Sequence, residues 1–467
     1  MSSTVVGGRR EADLYTRLAS GVLFPFHEAL KRHSTVAVRR WLEKTEWYSP
    51  QELAALQAQR LRALIERAAV KVPYYRDLFA DRRIAPSTIR SAADLARIPF
   101  LTKPLIRAAA DRLRASDAGR LEKAATSGST GEPLRFELGL ERVSHDVAAK
   151  WRATRWWGVD IGDPEIVIWT SPIEGDSQDI VRHVRDRLLR STFIDARDLS
   201  DHELEAILGR IEQIGPRMLF GYTSAVARLA SFAHHRGWRL RGADLRVVFV
   251  TSAKLLAEQR AQMQEVFGCP VANGYGGRDA GFVAHECPAG GMHITEEDVV
   301  VEIVNDEGEP LAAGQAGEVV VTNLASGDFP FIRYRTGDRA VLDSKACPCG
   351  RSSRLIGSIE GRTNDLLVGP GGRVMHHTGI SNVLKDVPGL QNYKIIQERE
   401  DLIRVLVVTE GPLDERHSAG AQRALKSHLG EEVRVDFERV ADIPLERAGK
   451  HRYIVNRVLE SRAARAS

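Results

Sequence analysis

The 467-residue chain lacks any apolar run approaching the ~18 residues that a membrane-spanning helix needs. It also lacks a secretory leader pattern: Arg9, Arg10, Glu11 and Asp13 put charge where an apolar signal core would lie. Cysteine is scarce, with four residues in the whole chain, too few for a disulfide framework at this length. A reducing cytoplasm is therefore the expected compartment. Charge of one sign is lacking as well: the formal balance is +4, so nothing points to nucleic acid, and anionic small molecules would not be repelled.

What is present fits a large folded protein. A 43% hydrophobic and 27% charged composition is ordinary for a globular chain. Its length exceeds what one core usually supports, so at least two folded units are expected. Residues 51–70 place Leu53, Leu56, Leu61, Leu64, Ile65 and Ala68 on one helical face after Ser49-Pro50. The preceding segment from His27 to Lys44 reads as a basic helical arm with Trp41 and Trp47 packed inward, in preference to a membrane-surface helix. Strand and helix then alternate from Glu165 to Phe267, the pattern of a doubly wound α/β sheet. Beyond residue 290, β-branched strand–turn–strand texture takes over. A glycine-rich junction at 356–373 precedes a small α+β unit.

The run Thr126-Ser127-Gly128-Ser129-Thr130-Gly131-Glu132-Pro133 combines hydroxyls with glycines that let backbone approach an anion. It is not a Walker A loop, because the lysine and spacing are absent. Alone it would read as a surface loop, but four motifs follow it in order: TSAKL (251–255), GYGGRDAG (274–281), FPFIRYRTGD (329–338), and Gly361-Arg362 with Asp365. A lone lysine, Lys450, then sits in AGKHR near the C-terminus.

In this order the motifs resemble the adenylate-forming superfamily, most closely its phenylacetate–CoA ligase branch and the CapK-type proteins. The resemblance runs from about residue 47 to 457. It implies a large multilayered N-terminal α/β domain, residues 1–361, which binds ATP and acid, and a small mobile α+β lid, residues 362–467. It implies an ATP-dependent ligase that forms an acyl-adenylate from a small-molecule carboxylic acid and passes the acyl group to an acceptor. That acceptor is coenzyme A in the phenylacetate branch; an amine or hydroxyl remains open, as does a non-catalytic nucleotide-binding homologue. The matching positions are Thr126, Ser127, Gly128, Ser129, Thr130 and Gly131 around the β- and γ-phosphates, and Gly274, Tyr275 and Gly276 at the adenine. Asp279 matches the magnesium ligand, Asp338 the ribose-binding aspartate, Arg362 the hinge arginine (with the hinge at Asn364 or Asp365), and Lys450 the lysine contacting carboxylate and α-phosphate. Two departures stand out: Lys254 replaces a glutamate of the Ser-Ala-Glu segment, and Asp279 replaces glutamate.

Cys287, His293, Cys347 and Cys349 form a Cys3His set suited to a closed structural zinc site. By residue type alone, buried core cysteines are an equal reading; the resemblance favours zinc, with His285 in reserve and Cys269 inert. His145 reads as a core or surface histidine, Trp151, Trp156 and Trp157 as packing, and Tyr222 and Ser224 as pocket residues. A homodimer is the default for a soluble oligomer.

Overall fold

The computed structural model describes residues 13–126, 134–169, 184–196, 199–242, 244–362, 366–376, 380, 383–384, 387–409, 411–413, 415–444, 452–459 and 461. The chain opens with one long helix, α1, built from Leu14–Leu18, a π-turn at Ala19–Leu23 and Phe24–Leu30. Pro25 explains the π-turn: its ring would press on the carbonyl of Gly21 in a regular α-helix, and the wider turn moves that carbonyl away. Helix α2 (Thr35–Thr45) and helix α3 (Pro50–Lys71) follow. Ser49 starts α3 with a capping box to Glu52, and Leu53, Leu61, Leu64, Ile65 and Ala68 are buried, as the 3.6-residue spacing predicts. Trp47 departs from expectation. It is exposed, with the Arg351 guanidinium over its ring at 4.7 Å, because its neighbour Glu46 takes the inward place.

The main body is an 11-stranded sheet. Strands β3 (Glu165–Trp169), β4 (Ser191–Asp195), β5 (Met218–Tyr222), β6 (Val247–Thr251) and β7 (Val271–Gly277) pair in parallel, in the order 4-3-5-6-7. They follow a small antiparallel hairpin, β1 (Leu121–Ala125) with β2 (Arg135–Gly139), and the helix α5 (Leu140–Trp156); α4 is Pro73–Asp81. Helices α6 (Asp201–Ile214), α7 (Thr223–His235) and α8 (Ala257–Phe267) make the crossovers. Both faces of these strands are covered, so Val, Ile, Leu and Phe run through them without alternation.

From β7 the sheet turns antiparallel through β8 (Gly281–Glu286), β9 (Met292–Ile294), then β13 (Leu355–Arg362), β12 (Tyr334–Asp343), β11 (Ala316–Asn323) and β10 (Val299–Val304). The glycine-rich junction begins within strand β13, Leu355–Arg362. Its glycines at 357 and 361 sit beside bulges that β12 tolerates, so they do not break the pairing. A short β14 (Leu366–Val368) with β15 (Val374–His376) leads to a four-stranded sheet. That sheet comprises β16 (Leu390–Arg399), β17 (Leu402–Thr409), β18 (Arg434–Arg439) and β19 (Ile454–Asn456), covered by helix α9 (Glu415–Leu429) with its own core. Gln259 on α8 donates to the Tyr453 hydroxyl at 2.8 Å, one tie between this unit and the main body. Among the described residues no helix is long and apolar enough to cross a membrane.

The segment before β12 is held by one buried ion pair. Arg333 has φ 51°, contacts Glu302 on β10 at 3.0 Å, and donates to the Ile98 carbonyl at 2.9 Å. Arg333→Leu leaves Glu302 buried without its partner. We expect a loss of about 3–5 kcal/mol of stability, measured by urea unfolding of the full chain.

Candidate nucleotide site and a cysteine–histidine cluster

Among the described motif residues, those of 251–255 and 274–277 lie at and just after the C-terminal ends of the parallel strands β6 and β7, where open α/β sheets carry ligands. The hydroxyl-rich run joins β1 to β2. The Thr126 N–H donates to the Leu134 carbonyl, and the Leu134 N–H donates to Thr126 Oγ1, both at 3.0 Å. Thr126 thus closes the base of the loop while its O–H remains able to donate. Ser127, Gly128, Ser129, Thr130 and Gly131 lie outside the described residues, as do Lys450, Asn364 and Asp365.

Strand β7 ends in a tight turn into β8. Gly276 is required there: a Cβ would lie 2.1 Å from the Gly281 carbonyl oxygen. Around this turn two tyrosines and two carboxylates exchange hydrogen bonds between distant strands. The Tyr275 hydroxyl on β7 donates to Asp338 Oδ2 on β12 at 3.0 Å, and the Tyr334 hydroxyl on β12 donates to Asp279 Oδ2 after β7 at 2.6 Å. Burial, together with the Asp338 charge, raises the Tyr275 phenol well above its ordinary range, so it is held as a donor. Asp279 Oδ1 accepts the Ala280 N–H at 3.1 Å. Each Asp279 oxygen therefore holds one protein hydrogen bond and keeps a lone pair, a donor set that fits magnesium, which takes one or two carboxylates plus phosphates and water.

Asp338 pairs in register with Arg362 on β13, so the ribose and hinge candidates are strand neighbours. Lys254 follows β6, half-buried. Burial lowers its ammonium pKa, opposed by Glu360. The Thr223 hydroxyl donates to the carbonyls of Thr251 and Ala253 at 3.2 and 3.1 Å, fixing that loop beside Tyr222 and Ser224. Tyr222 stacks on Trp169 with ring centroids 3.9 Å apart. His145 is a core histidine: its Nδ1 lies 2.6 Å from Asp298. Tyr334 and Thr223 were not singled out by sequence. Tyr334 lies within FPFIRYRTGD, but nothing in the motif tells that its hydroxyl reaches Asp279.

The four metal candidates come together, with their ligating atoms all within 4.8 Å of one another. Cys287 Sγ and Cys347 Sγ are 3.6 Å apart, and Cys349 Sγ lies 3.2 Å from His293 Nε2. Two sulfurs on one tetrahedral zinc with bonds of ~2.3 Å would be ~3.8 Å apart, whereas a disulfide would need ~2.05 Å. His293 Nδ1 pairs with Ser353 Oγ at 3.0 Å, which points Nε2 at the sulfurs. Burial, with Arg351 and Arg152 nearby, lowers the His293 pKa to about 4, leaving the neutral ring a ligand needs. His285, the reserve ligand, is not in this group. Its ring instead stacks on Phe282, with ring centroids 5.2 Å apart. Cys269 is buried apart, its thiol pushed up to about 12 by burial.

Comparison with known proteins agrees with this geometry. Residues 125–325 match the family model of the AMP-binding enzymes and residues 367–457 match the CapK C-terminal domain, together more than half the chain. Phenylacetate-coenzyme A ligase of Thermus thermophilus is 28% identical over 363 residues, covering 75% of this chain and 79% of that protein. Protein CapK of Staphylococcus aureus is 23% identical over 418 residues, covering 87% and 90%. Among solved structures, 2-hydroxyisobutyryl-CoA ligase in its postadenylation state with 2-HIB-AMP shares the fold, with a TM-score of 0.71 at 20% identity over 91% of this chain and 94% of that one. Fold and site thus define an AMP-binding enzyme. The chain carries an AMP-binding enzyme domain and a CapK C-terminal domain, and is similar along most of its length to phenylacetate–CoA ligases and to CapK.

Tyr334→Phe removes the buried phenol that donates to the Asp279 carboxylate. We expect about 1.5–3 kcal/mol lower stability, measured by chemical unfolding, with an unchanged fold by circular dichroism.

Proposed function

We propose that the chain is an AMP-forming acid ligase that converts a carboxylic acid and ATP to an acyl-adenylate and pyrophosphate, then passes the acyl group to coenzyme A. The observation that carries this reading is the crossed Tyr275–Asp338 and Tyr334–Asp279 arrangement at the strand ends within the AMP-binding match. Tyr275 and Gly276 flank the adenine, Asp338 takes the ribose hydroxyls, and the loop from Thr126 to Gly131 wraps the β- and γ-phosphates. Asp279 holds magnesium, which supplies charge neutralisation on the phosphates. The substrate carboxylate oxygen attacks the α-phosphorus, and the bond to the bridging oxygen of pyrophosphate breaks with its electron pair. Lys450 stabilises the charge that builds there; no side-chain nucleophile is needed. In the second step the thiol loses its proton, its sulfur attacks the acyl carbon, and AMP leaves.

Residues 1–361 form the binding domain and 362–467 the lid, which turns near Asn364 or Asp365 with Arg362 beside the hinge. Lys254 sets a cation where the resembled motif has glutamate, which changes either the acid chosen or the strength of catalysis. The CapK match keeps an amine or hydroxyl acceptor as a second reading. Cys287, His293, Cys347 and Cys349 hold one structural zinc, which joins the loop after β8 to the loop after β12. The reaction runs in the cytoplasm.

Acid-dependent exchange of labelled pyrophosphate into ATP, over aryl, fatty, amino and sugar acids, tests the reaction. One acid class should support exchange, and Lys450→Ala should lower it roughly 100-fold or more. Silence on every acid with ATP still bound would leave a nucleotide-binding homologue without turnover. Thioester formation on adding coenzyme A separates the two acceptors. For the metal, protein purified without chelator should contain close to one zinc per chain by elemental analysis, and Cys347→Ser should lose it. A metal-free wild type with four free thiols would remove the site.

A further inference from the structure

Helix α1 carries an apolar stripe that the rest of the described structure leaves in solvent. Leu14, Leu18, Val22, Phe26 and Leu30 are 84, 45, 56, 66 and 70% exposed, at strict four-residue spacing. In an α-helix such a stripe drifts ~40° around the axis at each step. The single π-turn at Ala19–Leu23 takes back ~100° of the ~160° accumulated over four steps, so the five side chains stay on one broad face along ~24 Å of helix. The helix's other face is anchored: Thr16 Oγ1 donates to Asp163 at 2.9 Å, and Ala19 and Phe24 are buried. Beside the stripe, Val184 and Leu188 add two more exposed apolar side chains, held there by the Tyr15 hydroxyl donating to the Leu188 carbonyl at 3.0 Å.

We propose that this face is a homodimer interface, in which α1 packs antiparallel on α1 of a second copy around a twofold axis beside Val22. Three features select a second copy. The seven side chains expose roughly 700 Å² of apolar surface, above the ~300–600 Å² of a typical monomer's largest patch and close to the ~800 Å² each partner gives to a stable interface. The apolar positions are evenly spaced about Val22, so Leu18 meets Phe26 of the partner subunit and Leu14 meets Leu30 of the partner subunit, an isologous contact. At its ends the same register brings Asp13, already paired with Arg190 at 2.8 Å, near Lys31 of the partner subunit. Gly21, exposed beside Val22 with nothing within 4 Å of where its Cβ would be, lets the two backbones approach closely at the axis. The active site lies at the strand ends, so this contact is separate from the chemistry.

The test is the solution mass of the full chain by sedimentation or light scattering at micromolar concentration. The wild type should weigh close to twice 51.7 kDa. Val22→Glu places two like charges on the axis and should weaken association by at least ~100-fold, with the circular dichroism spectrum and pyrophosphate exchange unchanged. Leu18→Lys should act the same way. Val22→Cys should oxidise to a disulfide-linked dimer, while Val70→Cys, equally exposed on α3, should not. A wild type of 51.7 kDa overturns the proposal, as does a dimer that survives Val22→Glu and Leu18→Lys. Sedimentation of a monomeric wild type with phosphatidylglycerol vesicles, lost in Val22→Glu, would assign the face to lipid and overturn it equally.

Discussion

The exchange of hydrogen bonds between Tyr275 and Asp338 and between Tyr334 and Asp279 is the constraint on which the rest of the main body depends. In the sheet, β7 and β12 are separated by β8, β9 and β13. Four steps at ~4.8 Å would put them ~19 Å apart in a flat sheet, beyond the reach of a tyrosine. The antiparallel half must therefore curl until its two ends face each other. The concave side is filled by Val283, Ile294, Val301, Val319, Val321 and Leu342, with Tyr275 packed against them. Burial of that apolar layer drives the curl, and the phenols and carboxylates set its register. The same residues that close the sheet then face the ligand-bearing edge, so fold closure and site formation are one event.

Beneath this edge lies a layer of buried charge that would be costly if any member were missing. Arg152 contacts Glu297 at 2.8 Å, and Glu297 also accepts from Thr45 at 2.9 Å. Burial raises the Glu297 carboxyl, and Arg152 opposes the shift. Glu46 accepts from the Trp156 indole at 2.8 Å and from Arg351 at 3.2 Å, while the Arg351 guanidinium lies over the Trp156 ring at 4.4 Å. Trp156 in turn meets His293 edge-on at 5.8 Å. Helices α2 and α5 and the cysteine–histidine cluster are thus one connected network. Arg351 adds positive charge beside three sulfurs, the sign a Cys3His zinc site of net charge −1 would want.

Much of this was legible in local patterns. The period of α3, the alternation from β3 to α8 and the β-branched runs of β10 and β11 are set by burial on one or both faces, which each segment declares through its own residues. The motif order named candidate residues because backbone geometry there demands particular types, as at Gly276. Where the reading failed, the reason was a partner remote in sequence. Trp47 seemed a core residue, yet Arg351, some 300 residues away, covers it on the surface. The stripe on α1 went unremarked because a π-turn, not an ordinary helical period, aligns it.

By itself the sequence determined which segments form most helices and strands, the candidate phosphate- and nucleotide-contacting residues, and the identity of a soft-ligand Cys3His set. Those depend on neighbours within a few residues, or on residue chemistry alone. Only the tertiary structure decided that Tyr334 restrains Asp279, that His293 and not His285 joins the cysteines, and that one helix face stays open to solvent. Each of these depends on the curl and packing of strands distant in the chain, and a hydrogen bond a few ångströms long cannot be read from residues that meet only after folding.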